Sequence, residues 1–227
     1  MDGKLSGASP YPTRPDLSEE ERIARAQAAF ERLSTRRSCR AFAGTPVPRA
    51  VIEYAIRAAG TAPSGANHQP WHFAVIGSPE KRRAIREAAE AEERRFYGAE
   101  DTAPKASEEW FAALDPLGTD AAKPFLETAP WLIVCFAQRK GGIAEDGAAQ
   151  NYYVTESVGL ACGMLIATLH EAGETTTSDG AFFFEELLGG PISSGLPSGP
   201  TAAQYVHNAT HVHWQFVVTD GSQHPPQ

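Results

Sequence analysis

The chain has 227 residues, 42% of them hydrophobic, and a formal net charge of −8. That length fits one large domain or two small ones, with enough apolar content to bury a core without staples. The negative balance argues against nucleic acid as a partner, because affinity there comes mainly from neutralised phosphates.

The three cysteines, Cys39, Cys135 and Cys162, are an odd count without short metal-ligand spacing. They are expected as free thiols in a reducing compartment, with Cys135 and Cys162 as plain core. Residues 1–16 are polar and proline-rich, with no apolar h-region, so neither a signal peptide nor regular structure is expected there. The longest apolar stretch, Val158–Leu169, has 12 residues. A membrane span needs about 20, so this is read as a buried helix in a soluble, cytoplasmic protein.

Ser18-Glu19-Glu20-Glu21 has the form of a capping box, and Ile23, Ala26, Phe30 and Leu33 follow at spacings of three and four. The pattern predicts a helix with one buried stripe. Thr35–Arg40, T-R-R-S-C-R, comes next, with three guanidinium groups and two hydroxyls in six residues. A guanidinium is a planar fork of donors that fits phosphate oxygens, and serine adds a short donor. The plainer reading is a basic helix end facing the negative pole of the dipole.

Pro48 opens a second helix with Val51, Ile52, Ala55, Ile56 and Ala59 on its apolar face and Gly60 as its cap. Thr61–Trp71, T-A-P-S-G-A-N-H-Q-P-W, is a turn leading into a strand at about Trp71–Ile76. Ser78-Pro79 caps a third helix reaching about Tyr97, so heavily charged that most of it should face water. Residues 98–124 show weak periodicity and a short Ser107-capped helix, which suits either a lid or an ordinary surface excursion.

Trp131–Phe136 reads as a buried central strand. A long helix follows at about Glu145–Ala172, where Gly159, Gly163 and Ala167 form a groove of small residues. Such a groove admits a close helix contact, within the monomer or with another chain. Thr175–Thr177 is read as a short strand and Ala181–Leu188 as a last helix. The alternation in His211–Val218 predicts one more strand. His207, His211 and His213 lie close together, but no carboxylate or thiol accompanies them, and they are read as a chance polar cluster rather than a metal site.

The ordered set Arg36–Arg40, Gly60–Ala66 and Pro70–Phe73 resembles the FMN-dependent nitroreductase superfamily, and most closely its iodotyrosine deiodinase branch. That branch runs R-R-S-x-R, G-T-A-P-S-G-A and P-W-x-F. The resemblance covers roughly residues 10 to 191. It implies an α+β, nitroreductase-like three-layer α-β-α sandwich with a central mixed sheet, in an intertwined homodimer joined through the long helix. The flavin domain would be residues 17–191, between an N-terminal tail and a divergent segment at 192–227.

The resemblance also implies site residues. FMN would be held by Arg36, Arg37, Ser38, Cys39 (through its backbone) and Arg40, by Pro63, Ser64 and Gly65, and by Thr175, Thr176 and Thr177. The Thr177 hydroxyl would donate to ring atom N5, which tunes the flavin's redox chemistry. The Ala66 amide would meet a substrate phenolate. Glu93, Tyr97 and Lys123 would grip the ammonium and carboxylate of an amino acid zwitterion, the first two sharing one helical face.

The implied reaction is reductive dehalogenation of halotyrosine, giving tyrosine and halide. NAD(P)H or a reductase would supply the electrons, and no G-x-G-x-x-G fingerprint marks a Rossmann-type nucleotide site. Two departures stand out. Only Glu174 separates Ala172-Gly173 from the threonines, where the family usually has several apolar residues. Residues 192–227 contain no Arg or Lys, so the basic segment that reaches the flavin phosphate in the family has no counterpart. A general nitroreductase or quinone reductase, and a flavin-free inactive scaffold, are the alternative readings.

Overall fold

The computed structural model describes residues 15–39, 41–96, 120–140, 150–179 and 211–219. Arg40, Tyr97, His207, residues 98–119 of the expected lid and the expected helix at 181–188 lie outside them. The chain divides into two compact units, Met1–Thr35 and Arg36–Gln227.

The first unit holds helix α1, Glu19–Ser34, started by the expected capping box: Ser18 Oγ accepts the Glu21 N–H, and Glu21 accepts the Ser18 N–H. Its apolar stripe is not buried as the spacing predicts. Ile23 and Phe30 are 59% and 71% exposed, and no residue of α1 is buried. Helical spacing reports that a face is apolar; it does not report whether the same chain covers it.

The second unit is built on a sheet. Its elements are helix α2 (Arg49–Ala59), strand β1 (Trp71–Ile76), helix α3 (Pro79–Phe96), a single turn α4 (Phe125–Thr128), strand β2 (Trp131–Ala137), helix α5 (Val154–Glu171), strand β3 (Thr175–Asp179) and strand β4 (His211–Thr219). The order across the sheet is β1-β2-β4-β3, and all three ladders are antiparallel. A parallel bridge between Ser38 and Thr176 makes the sheet mixed.

Strand β2 organises the layers because its residues alternate between the two faces. Ile133, Cys135 and Ala137 pack with α2 and α5, whereas Leu132 packs with Leu126, Ala129 and Ile85 of the α3–α4 side. Two helical layers therefore enclose one sheet, as the three-layer expectation requires. Both core thiols lie on the α2–α5 side. Contact with Cys162, and then burial, push the Cys135 thiol well above its ordinary range.

Helix α5 starts at Val154, nine residues after the expected start at about Glu145. Asn151 is buried ahead of it and Tyr153 caps it at φ 51°. Asparagine and a left-handed residue suit a helix boundary better than a helix interior. At its other end Gly173 (φ 85°) and Glu174 close a Schellman turn: the Glu174 N–H bonds to Leu169 O, and the Gly173 N–H to His170 O. That turn reverses the chain within two residues, so Glu174 alone suffices as a connection and β3 keeps five residues.

Candidate active site

The arginine stretch is tied directly to the threonine strand. Ser38 bridges Thr176, and the Cys39 N–H donates to Thr176 O at 3.3 Å. Two groups of expected cofactor residues, far apart in sequence, thus share one backbone pairing. Cys39 is buried, with its Sγ 2.9 Å from Ala41 O, which leaves its thiol no outward role. Arg36 is half-buried, while Arg37 and Ser38 are exposed, with Arg37 Nη1 donating to Arg36 O. Thr177 lies in β3 opposite Val217.

The loop Pro63–Gln69 is held in a costly shape. Ala66, Asn67 and Gln69 have φ values of 50°, 55° and 48°, a region that costs non-glycine residues about 1–2 kcal/mol each. Hydrogen bonds hold the loop there. The Gln69 N–H donates to Ser64 Oγ at 2.9 Å and the His68 N–H to Gly65 O at 3.0 Å. The Gly65 N–H donates to Ser157 Oγ at 3.3 Å.

A buried asparagine completes the frame. Asn151 Nδ2 donates to Gln138 O at 2.7 Å, so its Oδ1 is left to accept from His68 Nδ1 at 2.9 Å. That assignment makes His68 the Nδ1–H tautomer. Among the described residues this loop is thus anchored to α5 and to Asn151, itself held by Gln138, rather than to the arginine stretch.

The third group is the expected zwitterion grip. Lys123 Nζ lies 3.5 Å from Glu93 Oε2, with side chains only 13% and 16% exposed. The same ammonium donates to Asp120 O. Tyr97, the remaining member, falls outside the described residues. The helix carrying Glu93 is less solvated than its charge suggests: Arg86, Glu90 and Glu93 are all turned toward residues 120–129.

The sequence pattern of the nitroreductase family matches residues 33–189. The chain belongs to that family. It is 41% identical over 175 residues to the iodotyrosine deiodinase of Haliscomenobacter hydrossis, covering 76% of this chain and 77% of that one. It is 39% identical over 171 residues to the iodotyrosine deiodinase of Nematostella vectensis, covering 74% of this chain and 62% of that protein's length. In fold it resembles oxidized iodotyrosine deiodinase bound to FMN and 3-iodo-L-tyrosine, with a TM-score of 0.64 at 24% identity over 88% of this chain and 92% of that one. The family match stops before β4, yet β4 fills the sheet between β2 and β3.

Sequence reasoning passed over the residues that hold the others in place. His68, Asn151 and Ser157 fix the strained loop, and Arg86, Glu90 and Glu127 hold the segment carrying Lys123. The i, i+4 spacing of Arg86 and Glu90 was a readable signal for one of these pairs. No local pattern links Glu127 or Asn151 to partners tens of residues away.

Proposed function

We propose that this chain is an FMN-dependent oxidoreductase that removes halide from halogenated tyrosine. The observation that carries the reading is the Glu93–Lys123 pair, shielded from water in the helix-α3 layer. An amino acid zwitterion can enter such a pair and replace it with two matched ones. Its ammonium meets Glu93 and its carboxylate meets Lys123, so no charge is left uncompensated in a low-dielectric place.

The residues fit the cofactor. Arg36, Arg37 and Ser38 offer donors for its phosphate, Pro63, Ser64 and Gly65 a closely approachable backbone for the ring and ribityl chain, and Thr175–Thr177 the edge reached from β3. When bound, FMN supplies the electrons for the reduction. The carbon–halogen bond breaks and a carbon–hydrogen bond forms. Two electrons and one proton are consumed, and halide leaves.

The protein's own part is to orient and to exclude water. The Ala66 amide would meet the phenolate, and the Thr177 hydroxyl would donate to the flavin's N5. Glu93 and Lys123, with Tyr97, fix the amino acid end. NAD(P)H or a reductase renews the electrons. The small-residue face of α5 supports a homodimer, because a Cβ added at Gly159 or Gly163 meets no described residue within 4 Å.

The test begins with the visible spectrum of purified protein and identification of the flavin released on denaturation. Halotyrosine binding is then followed in wild type and Lys123→Ala. Released FMN, and a halotyrosine affinity that falls at least about tenfold in the variant, are expected. A protein that binds FMN, reduces nitroaromatics and ignores halotyrosine would replace this reading with a general nitroreductase. A colourless protein that rejects added FMN would leave only the scaffold.

A further inference from the structure

Helix α3 presents a stripe toward residues 120–129 at positions 82, 86, 90 and 93, each three or four residues after the last, so all lie on one face. Arg82 Nη1 donates to Glu127 O at 2.7 Å and also to Ala129 O. Arg86 Nε donates to Glu127 Oε1 at 2.8 Å, and Arg86 Nη1 to Glu90 Oε2 at 2.8 Å. The other oxygen of the same carboxylate, Glu90 Oε1, accepts the backbone N–H of Lys123 at 2.9 Å.

We propose that Glu90, backed by Arg86, is a positioning residue that sets where the Lys123 ammonium stands in the substrate grip. The proposal rests on the reading of Glu93 and Lys123 as that grip. Both backbone groups of Lys123 are engaged, the N–H by Glu90 and the C=O by the Leu126 N–H at 3.1 Å. Pro124, at φ −60°, follows at once and opens the turn Phe125–Thr128.

Only the lysine side chain remains free to adjust, and its ammonium already has Asp120 O and Glu93 as partners. When the zwitterion's ammonium takes Glu93, two of the three Lys123 donors are left for its carboxylate. Glu90 is itself 14% exposed and never has to touch substrate to act. Without it the chain before Pro124 loses its tether, and a displacement of about 1 Å at a substrate-positioning contact can cost up to about a hundredfold in rate.

The experiment uses the FMN-loaded wild type, Glu90→Ala and Glu90→Gln. The variants are compared for binding of halotyrosine and of the matching 2-halophenol, which lacks ammonium and carboxylate. Hydrogen exchange at the Lys123 amide is measured in parallel.

In Glu90→Ala the amide is expected to exchange faster and halotyrosine binding to weaken at least about tenfold, with halophenol and FMN binding unchanged. Glu90→Gln keeps an acceptor for the Lys123 N–H and should recover a large part of the loss. It also supplies the measurement if the alanine variant does not fold. An unchanged preference for halotyrosine over halophenol in the variants would overturn the positioning role, as would equal weakening of both ligands. A wild type with no such preference would overturn the grip itself, and this inference with it.

Discussion

Gly65→Ala isolates the strained loop from the rest of the site. A Cβ built at Gly65 lies 2.5 Å from Tyr152 O and 3.1 Å from the Tyr153 ring. Real Cβ atoms essentially never come closer than 3.0 Å to such a neighbour, so one backbone must retreat by at least about 0.5 Å. Tyr152 cannot yield easily. Asn151 before it is buried and bonded to Gln138 O, and Tyr153 after it sits at φ 51° while its carbonyl accepts from Ser157.

The retreat therefore falls on the Gly65–Ala66 backbone, the part expected to meet cofactor and substrate. Overpacking of this kind costs about 1–3 kcal/mol. A chain of this size should then lose roughly 2–12 °C in Tm. FMN affinity, measured by quenching of its fluorescence on binding, should fall by one to two orders of magnitude, since each 1.4 kcal/mol is about tenfold. Gly44→Ala is the control, because the described atom nearest to its added methyl, Thr128 O, lies at 3.6 Å, an ordinary contact. A Gly65→Ala protein with wild-type Tm and wild-type FMN affinity would refute the reasoning.

Further outcomes follow from other contacts. Asn151→Ala leaves Gln138 O without its donor and frees His68, and should cost about 1–3 kcal/mol by urea unfolding. Gly163→Leu should shift a dimer toward monomer in sedimentation equilibrium while the monomer's helix content holds; an unchanged mass would take α5 out of the interface. The hydrogen bond from Arg86 holds the Glu127 carboxyl below the ordinary carboxylate range. A depressed carboxyl stabilises the fold above its unfolded pKa and is lost as pH falls through the folded one. The Tm gap between wild type and Glu127→Gln should therefore be open at neutral pH and close as pH falls below the ordinary carboxylate range and through the lowered folded value. Cys135, buried and with a raised thiol, should resist iodoacetamide in the native protein and react on unfolding.

Much of the fold was legible because it rests on local patterns. Trp71–Ile76 and Trp131–Ala137 are apolar runs between turn signals, and Pro48, Ser18 and Ser78 each mark a helix start. The capping box at Ser18 needs only four residues to be recognised, and it forms as read. The apolar stripe of α1 was read correctly as a face and wrongly as buried, since burial depends on a surface the helix does not encode. The start of α5 was placed too early because small and polar residues at 145–153 do not break a helical pattern outright. The left-handed Tyr153 has no sequence marker.

At the site, the candidate residues were recognised through ordered motifs and the supporting ones were not. Arg36–Cys39 and Thr176 could be nominated separately, but their pairing is a matter of sheet topology. The α3 glutamates looked solvated because charge on a helix usually is. Glu90 and Glu93 differ from Glu87 only in facing the 120–129 segment, which no periodicity announces.

The placement of β4 has a bearing on how the chain assembles. Its residues pair Trp131 with Val218 and Thr175 with Thr219, so the middle of the sheet closes across long separations in sequence. Loop-closure entropy is spent before those pairings return anything, which makes such a sheet slow to form. Until residues 211–219 arrive, β2 exposes an unpaired, apolar edge, and β3 has no ladder to hold its threonines. An edge of that kind is a template for pairing with another molecule. Shortening the chain before residue 219 should thus be felt first as aggregation during synthesis, well before any question of catalysis arises.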